Sequence, residues 1–98
     1  MSTRFTWDAN KNRANRRKHG ISFEMATKVF IDPNAIMRFD LNDREQRWQT
    51  IGCVEDSLIV LVSHTLKSDD RGELIRIISA RKATRRERRL YEEGECDY

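Results

Sequence analysis

The chain has 98 residues, 38% of them hydrophobic and 36% charged, with a net charge of +3. That length holds one domain with a modest core. The longest unbroken apolar run, Leu58 to Val62, is far too short to span a bilayer, and the N-terminus shows no apolar leader.

Charge is unevenly distributed. Residues 1–20 and residues 81–91 each carry a net +5, whereas residues 21–80 carry −3 and residues 92–98 carry −4. Two basic blocks around an acidic middle suit a polyanion partner, although solvated helix faces would show the same blocks. Cys53 and Cys96 form no disulfide framework and no zinc-ligand spacing, so a reducing, cytoplasmic location is expected, with no metal and no cofactor.

In chain order, residues 4–7 read as a short strand. Asp8 then caps a helix over about 9–18, which has little apolar surface and ends at Gly20. Ser22 caps a second helix over about 23–31, where Phe23, Ala26, Thr27 and Phe30 recur at helical spacing. Asp32-Pro33-Asn34 ends it. Ala35–Leu41, Gln46–Val54, Leu58–Ser63 and Leu74–Ala80 read as strands, with Lys67–Gly72 as a polar hairpin loop. Short connections predict an antiparallel meander. Thr84-Arg85-Arg86-Glu87 is a capping box opening a basic helix that runs to about Glu93.

The stretch from Arg76 to Tyr91 carries six arginines and Lys82. The planar guanidinium fork donates paired hydrogen bonds to phosphate oxygens, so this stretch points to a nucleic-acid backbone. Strand alternation groups Arg76 with Leu74, Ile78 and Ala80, and places Arg81 with Ile75, Ile77 and Ser79. An Arg in an apolar strand needs either a carboxylate, with Asp40 or Glu87 as candidates, or an open groove; Arg47 raises the same question. His19 and His64 are the histidines available for proton transfer. A strand-terminal His64 and a helix-terminal His19 both have structural explanations as well. Glu87 already has a capping role, and Tyr91, one helical turn later, suits either the core or stacking on a base.

A recognisable pattern runs through these residues. It comprises Phe5-Thr6-Trp7-Asp8, Lys11, Asn15, Lys18-His19-Gly20-Ile21-Ser22-Phe23, Ala26, Phe30, Asp32-Pro33, Arg47, Ile51-Gly52, Arg76-Ile77-Ile78-Ser79-Ala80-Arg81, Ala83, Glu87, Arg88 and Tyr91. Over residues 5–91 the chain resembles the BrnT family of bacterial toxins. The resemblance implies a single α+β, RelE-like domain over residues 1–98. N-terminal helices would pack on a four-stranded, roughly antiparallel sheet, with a C-terminal basic helix and a flexible acidic tail at 94–98. It implies an endoribonuclease of a type II toxin–antitoxin system, metal-independent, that inhibits translation. A BrnA-type, DNA-binding antitoxin would neutralise it in a heteromeric complex of 2:2 or similar stoichiometry, which reaches operator DNA through the antitoxin. Catalytic candidates are then His19, Arg47, Arg76, Arg81, Glu87 and Tyr91; RNA-binding candidates are Lys11, Lys18, Arg85 and Arg88. The competing reading is a non-catalytic nucleic-acid-binding module acting as a corepressor.

Overall fold

The computed structural model describes residues 2–40 and 46–94. Strand β1 (Ser2–Thr6) leads into α1 (Ala9–His19). Next come α2 (Phe23–Ala26), which continues as a 3-10 turn over Thr27–Ile31, and the strands β2 (Ile36–Phe39), β3 (Trp48–Glu55), β4 (Leu58–Asp69) and β5 (Gly72–Lys82); α3 (Arg85–Glu93) closes the chain. The tail expected to be flexible, Cys96 and the Leu41 end of the expected second strand lie outside the described residues, apart from Gly94.

Local chemistry sets the helix ends. The Asp8 carboxylate accepts from the amides of Asn10 and Lys11, and Gly20 closes α1 at φ 74°, a left-handed conformation that glycine adopts without steric cost. Ser22 Oγ accepts from Met25 N at the start of α2. In α3 both halves of the capping box are made, and Gly94 terminates the helix.

The sheet has five strands in the order β1-β5-β4-β3-β2. It is mixed, not four-stranded and antiparallel as the sequence led us to expect. β1 joins the β5 edge in parallel, with Ser2 opposite Gly72 and Thr6 opposite Arg76. The physical reason is connectivity: β1 and β2 sit on opposite edges, so the chain between them must cross one face, and α1, α2 and the 3-10 turn are that crossing. Close approach at the start of the pair needs glycine, because a Cβ on Gly72 would lie 2.1 Å from Ser2 O. The expected hairpin loop at 67–72 is also shorter than predicted, since β4 continues through Asp69 and pairs with Gly72.

The crossing face holds the main core: Ile21, Phe23, Ala26 and Val29 pack on Val54, Val60, Val62, Ile75, Ile77 and Ala80. On the other face α3 covers a smaller cluster of Ile36, Ile51, Ile59 and Leu61 through Ala83, Leu90 and Tyr91. No helix among the described residues is long and apolar enough to cross a membrane.

Beyond Thr6 the outer edge of β5 loses its strand partner, and α1 takes over. Its buried Asn15 donates to Ala80 O at 2.8 Å and Ile21 O at 2.9 Å, and accepts from Ala80 N at 3.2 Å. One side-chain amide thus replaces a strand's pair of ladder bonds. Asn15→Ala should lose about 2–4 kcal/mol of unfolding free energy by urea titration, because three buried backbone groups lose their partner.

Candidate nucleic-acid site

Paired residues in a sheet present their side chains on the same face, so the register sorts the polar residues. On the α3 side lie Thr6 of β1, Arg76, Ser79 and Arg81 of β5, Ser63 and Thr65 of β4, Gln49 of β3 and Arg38 of β2. Arg76 and Arg81 therefore share a face, which corrects the alternation read from sequence. The cause is a bulge: Ser63 pairs with Ser79 and His64 with Ile77, leaving Ile78 as an extra residue in β5.

Where α3 stops covering this face, it is a floor of small polar side chains with a cationic group at each end. At one end is Arg76, exposed and flanked across the strands by Thr6 and Thr65. It bonds neither Asp40 nor Glu87, the two carboxylates that sequence reasoning offered it. Its electrostatic neighbour is Asp8, whose carboxyl is held below its ordinary value first by the Lys11 and Asn10 amides, and then by the charges of Lys11 and Arg76.

At the other end, Glu87 is clamped between two guanidiniums. Arg81 Nη1 donates to Oε1 at 2.8 Å and Arg81 Nη2 to Oε2 at 3.0 Å. Arg38 Nη2 donates to Oε2 at 3.3 Å, and Thr84 N donates to Oε1 at 2.9 Å. Burial opposes ionisation of Glu87, but the hydrogen bonds from Arg81 and Thr84 and the charges of Arg81 and Arg38 outweigh it and hold the carboxyl below its ordinary value. A carboxylate with four donors is a poor proton shuttle and a good strut. Arg38 also donates through Nε to Gln49 Oε1 at 2.8 Å. The sequence reading missed Arg38 and Gln49, yet Arg38, set between Met37 and Phe39 in a strand, carries the same signal as Arg76.

Among the catalytic candidates, Arg81 and Glu87 are in direct contact. Arg76 lies four rungs along the same strand face, roughly 13 Å away at the usual rise. Arg47 sits just before β3, with its carbonyl accepting from Asp40 N at 2.9 Å. His19 ends α1, on the helical side of the sheet near the Asn15–Ala80 junction. Tyr91 turns away to Asp32, to which its hydroxyl donates at 2.6 Å, and this bond pushes its pKa up to about 12. Asp32 also accepts from Cys53 N at 2.8 Å and Asn34 N at 2.9 Å, so Tyr91 ties the end of α3 to the β2 loop. Among the RNA-binding candidates, Lys11 and Lys18 are exposed on α1, and Arg85 and Arg88 line a groove on α3 with Arg89 and Glu92.

His64 is a core residue. It is fully buried, with Nε2 2.7 Å from Thr50 Oγ1, Nδ1 3.1 Å from Thr65 O, and its ring edge-on to Phe30 at 4.9 Å. Nδ1 donates to the carbonyl, so Nε2 accepts from Thr50. Burial holds its pKa below the ordinary value of 6.5. The folded state therefore resists a proton that the unfolded chain accepts. Stability should fall as the pH drops below 6.5, by at most about 1.4 kcal/mol per unit, and the slope should flatten in His64→Gln on urea titration between pH 5 and 7.

The comparisons with known proteins agree with this architecture. A family model described as the ribonuclease toxin BrnT of a type II toxin–antitoxin system matches residues 7–87. The chain is similar in fold to the crystal structure of the Brucella abortus ribonuclease toxin BrnT, with a TM-score of 0.63 and 22% identity over 86% of this chain and 100% of that one. No curated protein matches the chain.

Proposed function

The chain belongs to the BrnT family of ribonuclease toxins from type II toxin–antitoxin systems, and on that premise we propose that it cleaves RNA without a metal ion, on the polar sheet face beside α3. Membership implies an RNA substrate and an antitoxin partner. In our reading the ribose 2′-hydroxyl attacks the adjacent phosphorus and the 5′ oxygen leaves, producing a 2′,3′-cyclic phosphate. The observation that carries this assignment is Arg76: an exposed guanidinium, without a hydrogen-bonded acid among the described residues, at one end of a polar floor. Such a group is free to hold the charge that develops on the phosphate oxygens.

Arg81 serves as the second clamp, with Arg47 and the α1 and α3 cations (Lys11, Lys18, Arg85 and Arg88) steering the strand. Glu87 orients Arg81 and Arg38. His19 ends α1 on the helical side of the sheet, so its proposed proton transfer requires the substrate strand to pass around the β5 edge; Tyr91 acts through the position of α3. Helices α1 and α2 over one sheet face, with α3 covering only part of the other, support our reading of a RelE-like ancestry. Translation inhibition in the cytoplasm, neutralisation by a BrnA-type DNA-binding antitoxin, assembly near 2:2 and operator binding through that antitoxin complete the proposal.

The test is to incubate purified toxin with RNA in chelator and map the new ends. Cleavage giving 2′,3′-cyclic phosphates supports the proposal. RNA that is bound but left intact favours the non-catalytic corepressor.

A further inference from the structure

Helix α1 concentrates positive charge beyond what its packing uses. It carries Lys11, Arg13, Arg16, Arg17, Lys18 and His19 and no acid, and none of its acidic neighbours lies in its first turn. Arg13, Arg16 and Arg17 stand at i, i+3 and i+4, where like charges repel. They line one open groove of about 380 Å³ on the side of α1 away from Asn15. Compensation is partial: Arg16, Arg17, Lys18 and His19 stand in the last turn, where the helix dipole favours cations, but the mutual repulsion of the three arginines is not relieved by acids. Arg13 donates to the neutral Asn10 amide, Arg16 lies near Glu24, and Glu24 itself is hydrogen-bonded by Asn12. Arg17 makes no hydrogen bond or ion pair among the described residues. A helix that buries only Asn15 does not need these arginines for packing. Unfavourable local choices of this kind mark functional surfaces.

We infer that the Arg13–Arg16–Arg17 groove is a second phosphate-binding surface, which holds the backbone of the same single-stranded RNA a few nucleotides from the cut. This rests on the ribonuclease reading above. Placement favours RNA over other polyanions: α1 is fastened to β5 through Asn15 and Ala80, one residue from Arg81. A strand leaving Arg81 passes around the β5 edge and then across the width of this helix, roughly 10 Å more, to reach the arginines on its outer side. Neighbouring guanidiniums at i, i+3 and i+4 then meet successive phosphates without reading bases, so the surface adds affinity and not sequence preference.

The test compares the full chain with the R13Q/R16Q/R17Q variant, in which Gln preserves helix propensity. Binding is measured with a 2′-O-methylated single strand of about 20 nucleotides, which cannot be cut and exceeds one site. Losing three phosphate contacts should reduce the slope of log K against log salt by about 2 and weaken low-salt binding at least about tenfold. Turnover of a cleavable dinucleotide, whose single phosphodiester cannot lie at the cut and on α1 together, should stay within about twofold. Relieved repulsion and the lost attraction of Arg16 and Arg17 to the helix C-terminus offset each other, so the melting temperature should stay within roughly 2 °C at low ionic strength, which confirms that the variant folds. An unchanged salt slope and affinity would overturn the inference, as would a loss of antitoxin affinity alone. If the parent chain cuts RNA while the variant binds equally well, only this surface is refuted; if the parent neither binds nor cuts RNA, both readings fall.

Discussion

Arg76→Ala should slow RNA cleavage by about 10²–10³-fold, the usual loss when one group stabilising a developing oxyanion is removed. The same change should leave unfolding free energy within about 0.5 kcal/mol, because the side chain is exposed and has no hydrogen-bonded partner among the described residues. The combination is diagnostic. A residue that matters for activity and not for folding is touching substrate. Arg76→Lys separates charge from geometry: Lys keeps the charge but cannot donate two parallel hydrogen bonds, so we expect partial recovery only. Single-turnover cleavage alongside urea unfolding provides the check. Full activity in Arg76→Ala would remove this residue from the mechanism.

The opposite pattern is expected at Glu87. Its side chain is 9% exposed, and its two guanidinium partners are 37% exposed for Arg81 and 17% for Arg38. Glu87→Ala deletes half of a capping box and leaves both cations without their shared carboxylate. We expect a loss of roughly 2–4 kcal/mol, below the full cost of breaking a buried pair because water reaches Arg81. Thr84→Ala, which removes the other half of the box, should cost about 1 kcal/mol, and the difference measures the clamp. Equal losses in the two variants would mean that the clamp contributes nothing. The sign of the pH dependence follows from the depressed pKa: the stabilisation is present above the ordinary value of 4.5 and is lost as the pH falls through the folded value. Glu87→Gln should lower kcat by loosening Arg81, without deleting a limb of the pH–rate profile. Loss of a limb would make Glu87 a proton carrier.

Both predictions depend on the bulge at Ile78. Without that extra residue Arg81 would turn to the crowded helical face, and the two arginines proposed as clamps would not share a face. A single inserted position thus converts two isolated arginines into the ends of a shared floor. Thr6, Ser63, Thr65 and Ser79 keep that floor polar and low, which leaves room for a backbone to lie along it.

Sequence by itself determined what is local. Asp8, Ser22 and Thr84 cap helices, and Gly20 and Gly94 end them, because a cap needs only residues within one turn. It also determined the strand count beyond the first helices, the two basic blocks and the order of the family pattern, since these are properties of composition and spacing. Tertiary structure alone decided the rest. The parallel seat of β1, the Asn15 plug in the β5 edge, the arrival of Arg38 at the Arg81–Glu87 pair and the turning of Tyr91 to Asp32 join residues that are distant in the chain. No periodicity encodes such partners, because they are chosen by which edges and faces remain open after the sheet closes.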